Sequence, residues 1–282
     1  MGAHTVTAPD GLALFARSHG ERGGATPVVC IPGLTRNSRD FGPLAERLAT
    51  DRLVVAVDLR GRGNSAWDPS ARSYSLATYA EDVAVVVEEV VGAPVVVIGT
   101  SLGGLTAMWL ASAHPGLVRG IVLNDIGPEI DPRGAARIAS YAGKLPPVRT
   151  WDDAVAQTRL VSEQDLPGLD DEEWEQLARQ RYRERPDGTV VVDHDPGITA
   201  GPGTTEDPWL VFSRLDRLPM AVLRGARSDV LAPATVAAMA ESHPGLLVTE
   251  IPDRGHVPTL GEPLAQRAVD ELLASVDAAT PP

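Results

Sequence analysis

The sequence predicts an α/β fold, a mostly parallel sheet wrapped by helices on both faces and interrupted between two core strands by a helical insertion. Three observations lead there. Short β-branched runs recur at Val28–Ile31, Leu53–Asp58, Val95–Gly99, Val118–Leu123, Met220–Arg224 and Leu246–Ile251. Several are apolar throughout, as strands covered on both faces must be. Longer segments with helical spacing separate them, and the stretch from Pro128 to Pro208 breaks the alternation.

Taken in order, Thr5–Ala8 and Leu12–Arg17 flank Asp10-Gly11 and read as a hairpin closed by a type I′ turn. Leu76, Tyr79, Ala80, Val83, Val86, Val87 and Val90 recur at spacings of three and four, one apolar helical stripe ending near Gly92 and Pro94. Further helices are expected over Ser101–Ala113, Pro233–Glu241 and Pro263–Ser275. The insertion should contain helices Gly134–Lys144, Trp151–Val161 and Asp171–Glu184, a polar strand Thr189–Asp193, and the loop Gly197–Asp207. This divides the chain into a core of residues 1–127 and 209–282 and a helical cap of 128–208. There is no internal repeat or low-complexity tract.

Composition narrows the function classes. Lys+Arg of 25 against Asp+Glu of 38 gives a net charge of −13, which repels nucleic-acid phosphates and anionic membranes. Neither is an expected partner; a small-molecule substrate is. The single cysteine, Cys30, lies in an apolar run and reads as a buried small hydrophobe in a reducing, cytoplasmic setting. No secretory leader and no apolar run of membrane-spanning length is seen.

Gly99-Thr100-Ser101-Leu102-Gly103 is a G-x-S-x-G element placed where an apolar strand becomes a helix. Its glycines permit a tight turn that lifts the serine hydroxyl from the sheet edge, beside free N–H groups at a helix start. That hydroxyl needs a base. Of the six histidines, His4, His19, His114 and His243 have ordinary structural readings, and His194 lacks companions for a metal site. His256, in a loop just after the last strand, stands at the sheet's carboxyl edge. Asp229 follows the preceding strand in the same way. The order Ser101, Asp229, His256 is nucleophile, acid, histidine.

These residues, with Asp58-Leu59-Arg60-Gly61-Arg62-Gly63-Asn64-Ser65, make the chain resemble the α/β-hydrolase superfamily over nearly its whole length. The resemblance implies a serine hydrolase with Ser101 as nucleophile, His256 as general base and Asp229 as the orienting acid. It also implies an oxyanion hole from the backbone N–H groups of Leu102 and Leu34, with Thr35 as the alternative to Leu34. The family usually carries His-Gly where this chain has Pro32-Gly33, but only a backbone donor is required there. Asp125, after another core strand, is a second acid position; it is read as ordering the turn into the cap or lining its floor. The Asp58–Ser65 element lacks the glycine that a phosphate cradle needs and reads as a structural loop.

The expected reaction is hydrolysis of a carboxylic ester or lactone with no cofactor and no metal. Carbon–carbon hydrolysis, cofactor-free perhydrolysis and a non-catalytic receptor role are the alternatives. A dehalogenase or epoxide-hydrolase reading is disfavoured, because those relatives place Asp where this chain has Ser101. Trp151, Trp174, Trp209 and Phe212 are candidates for the pocket wall, and Arg36 and Arg39 for a substrate carboxylate, although packing and a solvated face are the ordinary readings of each.

Overall fold

A computed structural model describes residues 1–199 and 206–279. Residues 200–205 of the expected Gly197–Asp207 loop lie outside the described residues. Ten strands are described: β1 (Gly2–Thr7), β2 (Ala13–His19), β3 (Val28–Ile31), β4 (Val54–Asp58), β5 (Val95–Thr100), β6 (Val118–Asn124), β7 (Tyr182–Glu184), β8 (Val190–Val192), β9 (Met220–Gly225) and β10 (Leu247–Ile251). The α-helices are α1 (Gly42–Leu48), α2 (Leu76–Val86), α3 (Leu102–Ala113), α4 (Pro132–Tyr141), α5 (Trp151–Ser162), α6 (Asp171–Arg181), α7 (Pro208–Ser213), α8 (Pro233–Ser242) and α9 (Pro263–Ala279).

Eight strands form one sheet in the order β1-β2-β4-β3-β5-β6-β9-β10. β1 and β2 pair antiparallel, β2 joins β4 antiparallel, and every later pairing is parallel. Successive side chains on a strand point to opposite faces, so each all-apolar strand feeds two cores. Val29, Ile31, Val55, Val97 and Leu123 pack with α2, α3, α7 and α8 on one face. Val28, Cys30, Val54, Ile98 and Leu223 pack with α1 and α9 on the other. Cys30 is fully buried, and burial pushes its thiol far above the usual range.

Two local expectations change. The first hairpin does not close with a type I′ turn. Gly11 N–H donates to Ala8 O at 2.8 Å, and Gly11 alone there has positive φ, at 89°. Pro9 holds φ near −65° at the turn's second position, whereas type I′ requires φ above zero at both central residues. The third insertion helix stops at Arg181 rather than Glu184, because Tyr182–Glu184 pairs antiparallel with Val190–Val192. Burial of Tyr182 and Val190 against Val148, Ala154 and Ala178 outweighs local helical preference.

The segment between β6 and β9 carries α4–α6 and the β7–β8 hairpin. Both α5 and α6 start with reciprocal caps, Thr150 with Asp153 and Asp170 with Glu173. The loop Asp58–Ser65 anchors the end of this segment. Gly63 N–H donates to Asp193 O at 3.0 Å, Asp195 N–H to Gly61 O at 2.8 Å, and Tyr74 Oη to Asp195 at 2.6 Å. The loop is folded around the buried Asp58 carboxylate, which accepts from Ser38 and Asn64 N–H. Trp174 and Phe212 are buried in packing, and Trp209 meets Phe212 edge-on at 6.0 Å. Trp151 lies under Arg179.

The β5-to-α3 turn is the tightest point. A Cβ on Gly103 would stand 2.0 Å from Ile31 O and 2.9 Å from Pro32 O. Both are backbone atoms and cannot swing aside. Gly103→Ala should therefore cost about 3 kcal/mol or more. The check is the urea unfolding midpoint; a variant as stable as the parent would show that β3 and α3 are less constrained than they look.

Candidate active site

Ser101 sits between β5 and α3 with φ 52° and ψ −117°, a conformation L-residues rarely adopt. The neighbouring strand helps hold it, since Ser101 N–H donates to Asn124 O at 3.0 Å. The sharp turn brings Ser101 Oγ to 2.9 Å from His256 Nε2. His256 lies beyond β10, and its Nδ1 is 2.8 Å from Asp125 Oδ2. A carboxylate only accepts, so Nδ1 carries the hydrogen and Nε2 is left to accept from the serine.

The acid beside the histidine is thus Asp125, where the sequence favoured Asp229. β6 pairs with β5 so that Asn124 stands opposite Thr100, which sets Asp125 level with Ser101. Asp125 itself has φ 55° and is fully buried. Its carboxylate accepts from Gly225 N–H at 2.8 Å and Ser228 Oγ at 2.6 Å. Asp229 lies four residues beyond the end of β9 and is taken by Arg137 of α4. Nε and Nη2 of Arg137 donate to its two carboxylate oxygens at 2.6 and 2.7 Å. This fork holds the Asp229 carboxyl below its ordinary value.

Arg137 also donates to Asp165 Oδ2 at 3.0 Å. Asp165 in turn grips the histidine loop: its Oδ1 accepts from His256 N–H at 3.1 Å and its backbone oxygen from Gly255 N–H at 2.8 Å. Burial raises the Asp165 carboxyl, and Arg137 opposes that rise. Sequence reading identified neither Arg137 nor Asp165. Arg137 is on α4, where amphipathic spacing predicts the helix but not its partner, and Asp165 is in the turn after α5, which carries no periodic signal.

Leu34 and Leu102 both border the turn. Leu102 is the first residue of α3, where backbone N–H groups have no intrahelical acceptor. The Leu34 carbonyl is held by Arg62 Nε at 2.8 Å. Arg62 is itself fully buried against Tyr79, with its guanidinium 4.9 Å from the ring centroid. Leu34, Thr35, Ser101 and His256 open onto one cavity of about 270 Å³, roofed by Ile138 and Tyr141 of α4, Val161 of α5 and Leu177 of α6.

None of Trp151, Trp174, Trp209 and Phe212 lines this cavity. Arg36 does, paired with Asp40 at 2.6 Å, while Arg39 is taken by Asp193 at 2.6 Å. His194 is buried next to Arg62, and burial pushes it down to about 4, which leaves it neutral. Among the described residues no group of three or more potential metal ligands comes together, and no helix is long and apolar enough to cross a membrane.

Comparison with known proteins gives a consistent placement. A profile of the Alpha/beta hydrolase family matches residues 28–269. The chain is 32% identical to the 3-hydroxybutyrate-oligomer hydrolase of Cupriavidus necator, over 95% of each chain. It is 37% identical to an esterase of Mycobacterium tuberculosis over a shorter region, 44% of this chain and 41% of that one. Among solved structures, an alpha/beta hydrolase from Novosphingobium aromaticivorans superposes with a TM-score of 0.90 at 37% identity, covering 97% of this chain and 98% of that one. The chain belongs to the alpha/beta hydrolase family and is a hydrolase.

Proposed function

We propose that this protein is a serine carboxylic-ester hydrolase acting through an acyl-enzyme on Ser101. The observation that carries this reading is the continuous chain Ser101 Oγ–His256 Nε2–Nδ1–Asp125, at 2.9 and 2.8 Å, opening on a cavity. His256 Nε2 takes the serine proton as Oγ attacks the ester carbonyl. The tetrahedral oxyanion is held by the N–H groups of Leu34 and Leu102. Protonated His256 gives its proton to the departing alcohol, and water enters by the same base to release the acid. Asp125 fixes the tautomer and stabilises the imidazolium. Asp229 has no part in the proton transfers; with Arg137 it secures α4 of the cap.

The relative named as a 3-hydroxybutyrate-oligomer hydrolase acts on an ester-linked oligomer, and a second relative is named an esterase. Both names favour ester cleavage over carbon–carbon cleavage, and the first favours a short ester of a hydroxy acid.

Hydrolysis of p-nitrophenyl butyrate separates the assignments. Ser101→Ala should lose activity by about a thousandfold or more, and Asp125→Asn by ~10³–10⁴ in kcat. Asp229→Asn should stay within ~10-fold of the parent, because its carboxylate does not meet the histidine. The reverse ranking of the two aspartate variants would return the acid role to Asp229.

The Asp229–Arg137 pair also carries a pH signature. A carboxyl held below its ordinary 3.8 stabilises the fold above that value, and the stabilisation disappears as pH falls through the lowered one. Asp229→Asn should therefore be less stable by about 1 kcal/mol at neutral pH. The gap in melting temperature should close on acidification below the ordinary carboxylate value. A gap undiminished in acid would assign the effect to packing instead of charge.

A further inference from the structure

Among the described residues two arginines, Arg36 and Arg181, line the cavity that holds Ser101, Arg39 lies close by, and their pairing differs. Arg36 is neutralised by Asp40 and Arg39 by Asp193. Arg181, the last residue of α6, has no carboxylate partner among the described residues. Its side chain makes one hydrogen bond, Nη1 to Ser162 Oγ at 2.8 Å, and its buried Nε meets no acceptor. Arg181 is half-buried, and a guanidinium partly withdrawn from water without a counter-ion is costly unless something else supplies the charge. Burial together with nearby Arg36 pushes its proton affinity down to about 9, so it is still cationic at neutral pH.

Its position supplies the second observation. Beside the cavity that holds Ser101 lies another, of about 370 Å³, and Thr35, Tyr141, Val161 and Arg181 line both. The wall of the second cavity is apolar around Leu145, Pro146 and Val148. It also carries Arg185 and Arg183, the latter paired with Asp193 at 3.3 Å, and among the described residues no acidic side chain lines it. In the first cavity the two acidic residues, Asp40 and Asp165, are already bound to Arg36 and Arg137. A ligand that spans the two spaces passes an uncompensated cation partway along its length.

We propose that Arg181 is a specificity-determining residue that receives a free carboxylate of the substrate, so that the preferred substrates are anionic esters whose carboxylate lies a few carbons from the scissile carbonyl. This rests on the ester-hydrolase reading and extends it to a substrate class. The planar fork of an arginine matches a carboxylate in two parallel hydrogen bonds, and Nε, now without an acceptor, is one of the available donors. A short hydroxy-acid oligoester fits the requirement, since it ends in a carboxylate next to its last ester bond.

The test compares the linear dimer of 3-hydroxybutyrate with the same dimer carrying a terminal primary amide, with p-nitrophenyl butyrate as a neutral reference. For the wild type, kcat/KM should favour the acid over the amide by roughly 10- to 100-fold. In Arg181→Gln that ratio should collapse towards one, and Arg181→Lys should keep part of it. A merely structural arginine would lower both substrates together and leave the ratio intact, which would overturn the proposal. If Arg181→Gln does not fold, the wild type still decides. 3-Hydroxybutyrate should inhibit p-nitrophenyl butyrate hydrolysis more strongly than its amide, and equal inhibition would overturn the assignment. Turnover of p-nitrophenyl butyrate without preference for the acid would sink the role of Arg181 and leave the ester reading standing. Failure to hydrolyse any of the three esters would sink the ester reading itself, and this proposal with it.

Discussion

The site is organised around one buried carboxylate. Asp125 has no exposure to solvent, and an ion in that position persists only where donors replace its lost hydration. Three do so from three different parts of the chain: Gly225 N–H at the end of β9, Ser228 Oγ in the following loop, and His256 Nδ1 beyond β10. Ser228 Oγ also accepts from Val230 and Leu231 N–H, which fixes the loop that supplies it. The serine belongs to the same framework through Asn124 O on the strand that leads into Asp125. Sheet register therefore sets the hydrogen-bond distances at the site, because β6 lies between β5 and β9 and joins them.

With Asp125 at the histidine, the acid beyond β9 is released for another task. Asp229 binds Arg137, Arg137 binds Asp165, and Asp165 holds the backbone on both sides of the Gly255–His256 peptide. The segment between β6 and β9 thus does more than line the cavity. The turn after α5 contacts the loop that carries the proposed base through Asp165, and α4 is joined to it through the Arg137–Asp165 pair. Displacing α4 would remove the cation opposite Asp165 and loosen the acceptor of His256 N–H. Surface ion pairs are usually worth little, but here the Asp165 side chain is nearly buried and the Arg137 fork is bidentate, which gives the link both strength and direction. The wall of the cavity formed by α4 and the backbone of His256 are joined by a continuous set of hydrogen bonds.

Features fixed by local chemistry were legible in the sequence, and those fixed by side chains meeting across the fold were not. The apolar runs from Val28 to Arg224 became parallel strands buried on both faces, and the last run, Leu247–Ile251, became a half-exposed edge strand. Gly99–Gly103 lay at its strand-to-helix turn because both glycines are required by backbone contact, at Gly103 O and at Ile31 O. His256 and Ser101 met as their loop positions implied. The choice between two aspartates was not decidable from spacing, because each follows a core strand. What separates them is the register of β5 against β6 and an arginine from a helix in a different segment. Tyr182–Glu184 shows the same limit, since its strand state depends on Val190–Val192 and not on its own residues. The four aromatic candidates fell to packing, the usual fate of large apolar side chains.

Arg181 acquires its meaning from the charge of the whole molecule. A net charge of −13 disfavours the approach of any anion, so no long-range steering draws an acidic ester to this protein. Screening removes most of that repulsion beyond ~8 Å at physiological ionic strength. What remains decisive is the interior of the cavity, where two opposite unit charges 4 Å apart attract by about 4 kcal/mol at an effective dielectric constant of 20, against about 1 kcal/mol in water. A short-range cation in an acidic protein therefore raises affinity at the site without speeding encounter. In a hydroxy-acid ester the carboxylate that meets Arg181 departs with the alcohol at acylation, and water then releases a second carboxylate from Ser101. Each anion leaves into the field of a negatively charged exterior, which disfavours its return. The same charge distribution that makes capture local also assists release of the products.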